Sequence, residues 1–175
     1  MTLLYILIGI ILVFLILAMV SPKDYEVSRS IVIDREIKEV FHYLKFIKNQ
    51  DHWSPWVKKD PNMVKSYKGT DGEIGFISKW KGNKAVGEGE QEILTIVENE
   101  YIDTQLRFFK PLKSESIGHI LVDKVDETQT IVTWGFSGRN KFPFSVFMLF
   151  MSMDKMKGKD FEVGLANLKR VLEKK

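Results

Sequence analysis

The chain opens with an apolar run, continues through a series of alternating segments, and closes on a single helical stripe. Met1 to Val20 carries no charged side chain and is almost continuously apolar. As a helix rising about 1.5 Å per residue it reaches about 30 Å, the thickness of a bilayer's hydrocarbon layer. After Ser21 to Asp24 the pattern changes. Tyr25 to Asp34 alternates as a strand, with Val27, Ile31 and Ile33 on one parity. Ile37, Val40, Phe41, Leu44 and Ile47 then recur at helical spacing, and Asp34 stands where an N-cap is expected.

From Met63 onward, short stretches of period two follow one another. They cover Met63 to Lys68, Ile74 to Lys81, Lys84 to Glu98, Tyr101 to Lys110, Ser114 to Val125 and Thr128 to Gly138. Gly69-Thr70-Asp71-Gly72, Asn99-Glu100 and Pro111 separate them, and Gly82-Asn83 has the chemistry of a tight hairpin turn. Gly87 and Gly89 inside a strand predict a bend or bulge. Short turns between consecutive strands imply an antiparallel meander rather than parallel βαβ units.

Met153 to Glu173 reads as one long helix. Phe161, Leu165, Leu168 and Leu172 form its apolar stripe, and Met153 and Met156 extend that stripe by a turn. A helix with one apolar face must lay that face on something. About seven strands and one other soluble helix are available, so the economical architecture is α+β: a curved antiparallel sheet around the long terminal helix. The organisation predicted is an anchor over 1–20, a linker over 21–24 and a single domain over 25–175. Between the last strand and this helix, Asn140 to Met153 is apolar but too short to span a bilayer. It predicts a short helix, with Pro143 near its start, packed under the terminal helix. The sharper alternative is a Met-rich lid or a surface dipping into the membrane.

Composition narrows the picture modestly. A net charge of +3 with lysines interspersed among acids gives no nucleic-acid-binding signature. There is no cysteine, hence no disulfide and no sulfur-ligated zinc. No Lys or Arg precedes the first apolar run, and Ala18-Met19-Val20 is a poor cleavage site, so an uncleaved anchor is favoured over a signal peptide. Lys23, Arg29, Arg35 and Lys38 follow the span, which leans the domain toward the cytoplasm.

Several residues in order resemble a known group. They are Tyr25-x-Val27-x-Arg29-Ser30-Ile31-x-Ile33, Val40-Phe41, Trp53-Ser54-Pro55-Trp56 and Lys59-Asp60-Pro61-Asn62-Met63. Trp80-x-Gly82-Asn83, Gly87-x-Gly89, Phe108-x-Lys110-Pro111 and Val132-Thr133-Trp134 follow, then Gly158-x-Asp160-Phe161-x-x-Gly164-Leu165-x-x-Leu168. Together they resemble the SRPBCC superfamily (START, Bet v 1 and polyketide-cyclase-like proteins), in particular a bacterial polyketide cyclase/dehydrase-like branch with an N-terminal membrane anchor. The resemblance implies the helix-grip fold, with an apolar cavity between sheet and helix. It does not imply one activity, because the superfamily spans carriers, binders and enzymes.

Candidate chemistry is sparse. His42, His52 and His119 have no metal-ligand spacing, and neither a nucleophile motif nor a phosphate loop is present, so no metal and no cofactor is expected. Glu88, Glu90 and Glu92 share a parity that reads as a solvated outer face. The inward parity collects Phe76, Trp80, Ile93, Leu106, Phe108, Trp134 and Phe136, interrupted by Ser78, Gln91, Thr104 and Arg29. Arg29 is expected to pair with an acid. With Trp53 and Trp56 at the rim and Phe161 and Leu165 from the terminal helix, these side chains predict a site for a hydrophobic small molecule or lipid. The expected function is a membrane-tethered binding or carrier module. The alternatives are a protein-interaction module centred on Phe142 to Met151 and a polyketide cyclase/dehydratase-like enzyme. The latter needs an acid or base in the pocket, and the strands offer no inward Asp, Glu or His.

Overall fold

A computed structural model describes residues 2–21, 23–149 and 151–174. The apolar run is one helix, α1 (Thr2–Val20), none of whose residues is buried. A seven-stranded antiparallel sheet follows, formed by β1 (Asp24–Ile33), β2 (Val64–Lys68), β3 (Ile77–Lys81), β4 (Glu88–Val97), β5 (Tyr101–Lys110), β6 (Ser114–Lys124) and β7 (Thr130–Arg139). Its spatial order is β1-β7-β6-β5-β4-β3-β2. Six strands make the expected meander, and β1 closes onto the last of them, in register from Asp24 opposite Arg139 to Ile33 opposite Thr130. The segment between β1 and β2 must therefore cross from one sheet edge to the other. It does so as α2 (Ile37–Leu44), a 3-10 turn (Ile47–Asn49), α3 (Gln50–Trp53) and α4 (Pro55–Lys59).

The terminal helix, α6 (Met153–Glu173), begins where its pattern predicts, and Ser152 caps it by accepting from the Lys155 backbone N–H at 3.1 Å. Leu165, Leu168 and Leu172 are buried in one cluster with Ile33, Val40, Phe41 and Leu44, which forms the closed end of the core. The helix runs along β1. Lys169 Nζ donates to the Val32 carbonyl at 2.7 Å, and the Asp34 backbone N–H donates to Glu173 Oε1 at 2.7 Å. Arg29 of β1 fixes its other half, donating from Nη1 to Asp154 Oδ1 at 2.7 Å and from Nε to Glu162 Oε1 at 2.8 Å. The acid partners of Arg29 are thus two carboxylates about two turns apart on one side of the same helix. Gly164 lets the helix approach the sheet: a Cβ there would lie 2.4 Å from the Trp134 ring and 3.1 Å from Pro55.

Several local expectations are corrected by tertiary partners. Asp34 does not cap α2, whose N-cap is Glu36 with no side-chain bond. Asp34 instead accepts from Gln129 Nε2 at 2.6 Å. Trp53 ends α3, Ser54 is extended, and Trp56 lies in the first turn of α4, with Pro55 at its first position, where its missing N–H costs nothing. Gly82-Asn83 is not a two-residue hairpin, and β4 starts at Glu88 rather than Lys84. The Asn83 N–H donates to buried Asp60 at 2.6 Å, which draws the loop onto the end of α4. Gly87 sits at φ 68° just before β4, so the glycines mark a bend, whereas the extra residue at the Glu88/Gly89 register shift is Phe109 of β5, and β4 itself carries an unpaired residue only at Leu94. The short helix α5 (Phe144–Phe147) lies beside α1 rather than under α6. Glu88, Glu90 and Glu92 are not simply solvated: Lys110 holds Glu88 at 2.9 Å, and Arg107 bridges Glu90 and Glu92 at 2.9 and 2.7 Å. Burial pushes the Glu90 carboxyl up, yet Lys79 and Arg107 together hold it below its ordinary value.

Two consequences can be measured. Gly164→Ala gains about 1 kcal/mol of helix propensity, but it drives a methyl into Trp134 and Pro55, where overpacking costs about 1–3 kcal/mol. Thermal unfolding should show a lower Tm, and a raised Tm would mean that the helix can stand off the sheet. The Arg29 guanidinium depresses the Asp154 carboxyl below its usual value. A depressed carboxylate stabilises the fold above its unfolded-state pKa and loses that contribution as pH falls through the folded value. Tm should therefore decline below the ordinary carboxylate range, and Asp154→Asn should flatten that part of the profile. An unchanged profile in Asp154→Asn would remove the clamp from the account.

Candidate functional site

Because α6 follows β1, it leaves the concave faces of β3 to β6 uncovered toward its N-terminal half. A cavity of about 760 Å³ fills the gap. The sheet supplies its floor, α3 and α4 supply a wall through Gln50, Ser54, Trp56 and Val57, and α6 roofs it with Met153, Met156 and Phe161. This is the volume range of small-molecule sites, and the lining is chiefly apolar.

Nine of the thirteen side chains expected at the site border this space: Trp56, Ser78, Trp80, Gln91, Leu106, Phe108, Trp134, Phe136 and Phe161. The other four do not. Trp53, Phe76, Ile93 and Leu165 are fully buried in the packed core. Strand parity placed Phe76 and Ile93 on the correct face, but they lie toward the closed end, where no free volume remains. Trp53 is covered by Trp134, with ring centroids 4.6 Å apart and edge-to-face, and Asn167 of α6 donates to its carbonyl at 3.0 Å. Trp134 and Phe161 meet at 4.6 Å, and Trp56 contacts both rings, so one aromatic cluster divides the closed core from the cavity.

Polar groups are few and oriented. Gln91 Nε2 donates to Thr104 Oγ1 at 3.1 Å, and Thr104 in turn donates to the Gly118 carbonyl at 3.2 Å. This relay occupies the floor, and both residues belong to the parity expected to face inward. The pattern missed a second pair: Tyr25 Oη and Ser116 Oγ lie 2.8 Å apart, next to Phe136. Burial pushes the Tyr25 hydroxyl pKa up, partly offset by the Ser116 bond, so the phenol is a neutral donor and acceptor. Gln50 was missed as well, because it falls where the α2 pattern breaks. Its Nε2 is buried and has no partner among the described residues, although Gln50 borders the cavity. That nitrogen is itself closed off from the cavity, so the lining offers the Gln91–Thr104 and Tyr25–Ser116 groups instead. Of the acids at the boundary, Asp51 is paired with Lys65, and Glu115 is exposed at the start of β6. His119 points to the outer face, 3.9 Å from Glu26. Among the described residues no cluster of His, Cys, Asp and Glu is arranged to hold a metal.

No family model and no curated protein sequence matches the chain. Solved structures do match it in three dimensions. A Thermobifida fusca protein superposes with a TM-score of 0.63 at 15% identity, covering 84% of this chain and 92% of its own. The Aha1 dimer from Colwellia psychrerythraea gives 0.59 at 15%, covering 85% and 96%. Norcoclaurine synthase from Thalictrum flavum, solved with dopamine and hydroxybenzaldehyde, gives 0.64 at 13%, covering 89% and 91%. At such identities the likeness speaks for architecture alone. The seven-stranded curved sheet and long C-terminal helix have the helix-grip fold of Bet v 1-like proteins.

Proposed function

We propose that the protein is a membrane-tethered binding or carrier module for a hydrophobic small molecule or lipid, held in the cavity between sheet and α6. The observation that carries this reading is the 760 Å³ space with its apolar walls and two separate polar features: the Gln91–Thr104 relay and the Tyr25–Ser116 pair. Apolar walls supply affinity roughly in proportion to the area removed from water, and a few fixed polar groups set orientation. Bet v 1-like neighbours support a ligand-binding fold, and one of them was solved with two small aromatic molecules bound. The length and hydropathy of α1 support the tether, and the positive residues that follow it favour the cytoplasmic side.

Native mass spectrometry on the full-length protein released from mild detergent is the direct test. A stoichiometric adduct with the mass of a lipid or isoprenoid is expected. Leu106→Trp adds an indole to the cavity without entering the closed core, so it should lower ligand occupancy about tenfold or more while leaving Tm nearly unchanged. Bare protein in both wild type and variant would argue that the cavity has no resident ligand.

A further inference from the structure

The open end of the cavity and the end of α1 lie on the same side of the molecule, and strand register explains why. Asp24, where β1 begins, faces Arg139, where β7 ends. Following the pairs across the sheet, Phe108 faces Ser114, Lys110 faces Glu88, and Glu88 also faces Lys81. One edge of the sheet therefore carries the start of β1 together with three loops, 82–87, 111–113 and 140–143. Residues of all three loops border the cavity. Only Ser21 to Lys23 connect α1 to this edge, a reach of about 10 Å even when extended. The connection is tighter still, because the Ser21 N–H continues the helix onto the Leu17 carbonyl and the Asn140 N–H bonds the Lys23 carbonyl at 2.7 Å.

The 140–143 loop goes further than the end of α1. The Phe142 ring packs edge-to-face on Phe14, with centroids 5.8 Å apart. Phe14 lies six residues before Val20, which is about 9 Å back along the helix axis. If α1 crosses a bilayer, that height falls among the acyl chains. A groove lined by Leu15, Ala18 and Met19 of α1 shares Arg139 to Phe142 with the cavity, so the mouth opens beside the span. The surroundings have the composition of an interfacial surface. Leu112 is 64% exposed, Phe142 59% and Phe147 56%. Lys84, Lys113 and Lys141 stand exposed among them. The ion pairs of this edge engage Lys110 and Arg139, leaving those three lysines without an acidic partner among the described residues.

We infer that the mouth of the cavity docks on the leaflet that α1 enters: Phe142 and Leu112 lie among acyl chains, and Lys84, Lys113 and Lys141 lie on anionic headgroups. The occupant of this face is an anionic lipid surface. Ligand then passes between bilayer and cavity without crossing water. Each apolar tip contributes through burial in lipid, and each basic residue near an anionic surface adds attraction that salt screens. The inference rests on the tethered reading above.

The absence of cysteine makes the test clean. Leu112→Cys, Phe142→Cys and, at the opposite edge, Glu127→Cys each accept one environment-sensitive fluorophore in the full-length protein. The labelled proteins are placed in nanodiscs of phosphatidylcholine with or without phosphatidylglycerol. Labels at 112 and 142 should shift to the blue and be quenched by acyl-chain spin labels when phosphatidylglycerol is present, and the label at 127 should not. Charge reversal at Lys84, Lys113 and Lys141 should return the 112 label toward water. Labels at 112 and 142 as wet as the one at 127 would overturn the docking. Equal depth at 112 without phosphatidylglycerol, or after charge reversal, would overturn the anionic selectivity. Extraction of the unlabelled protein from membranes by alkaline carbonate separates the premises: washing out defeats the tether itself, whereas a carbonate-resistant protein with wet labels defeats the docking alone.

Discussion

The alignment of α6 along β1 is the constraint from which the rest of the molecule follows. Arg29 grips Asp154 and Glu162, Lys169 and Glu173 bond the β1 backbone, and Gly158 and Gly164 let the helix approach Arg29 and Trp134 closely. A helix held over one margin of a seven-stranded sheet cannot also cover the other margin. At the far end α2 supplies Val40, Phe41 and Leu44 and the core closes. At the near end no described residues fill the concave face in the same way, and the cavity is the consequence. The void is thus a property of helix placement, widened by the small residues Ser78, Thr104, Ser116 and Gly118 that the strands turn toward it.

That placement also explains how the site is polarised. The aromatic cluster of Trp53, Trp56, Trp134 and Phe161 separates a dry core from an accessible chamber. Beyond it, polar groups stand singly or in pairs, and most find one another: Gln91 with Thr104, Tyr25 with Ser116. The Gln50 amide does not. The charged residues are segregated differently. The glutamates of β4 are tied up by Lys79, Arg107 and Lys110, whereas Lys84, Lys113 and Lys141 in the loops around the mouth have no acidic partner among the described residues.

Much of the architecture was legible in the amino-acid sequence because it depends on periodicity. The span of α6, the bounds of β5 and the inward parity of Leu106, Phe108, Trp134 and Phe136 all follow from local rules about which side a residue faces. The closure of β1 onto β7 and the route of the crossover segment did not follow, since pairing between distant strands depends on the whole sheet. Local capping and turn rules failed at Asp34 and Gly82-Asn83 for one physical reason. Each had a stronger partner elsewhere in the fold, Gln129 in one case and Asp60 in the other.

The sequence by itself determined which residues face inward, because a strand's period of two and a helix's of 3.6 are set by the backbone. It also determined that the first helix has the length and composition to cross a bilayer. Only the tertiary structure decided which inward residues meet empty space and which meet one another. Trp53, Phe76, Ile93 and Leu165 have the same character as Trp80, Leu106 and Phe136, yet the first group packs the core and the second borders the cavity. The difference lies in distance along the strand from the closed end, which no pattern of alternation encodes. The shared location of mouth and α1 is likewise a matter of register: the start of β1 falls at the same sheet edge as the loops after β3, β5 and β7.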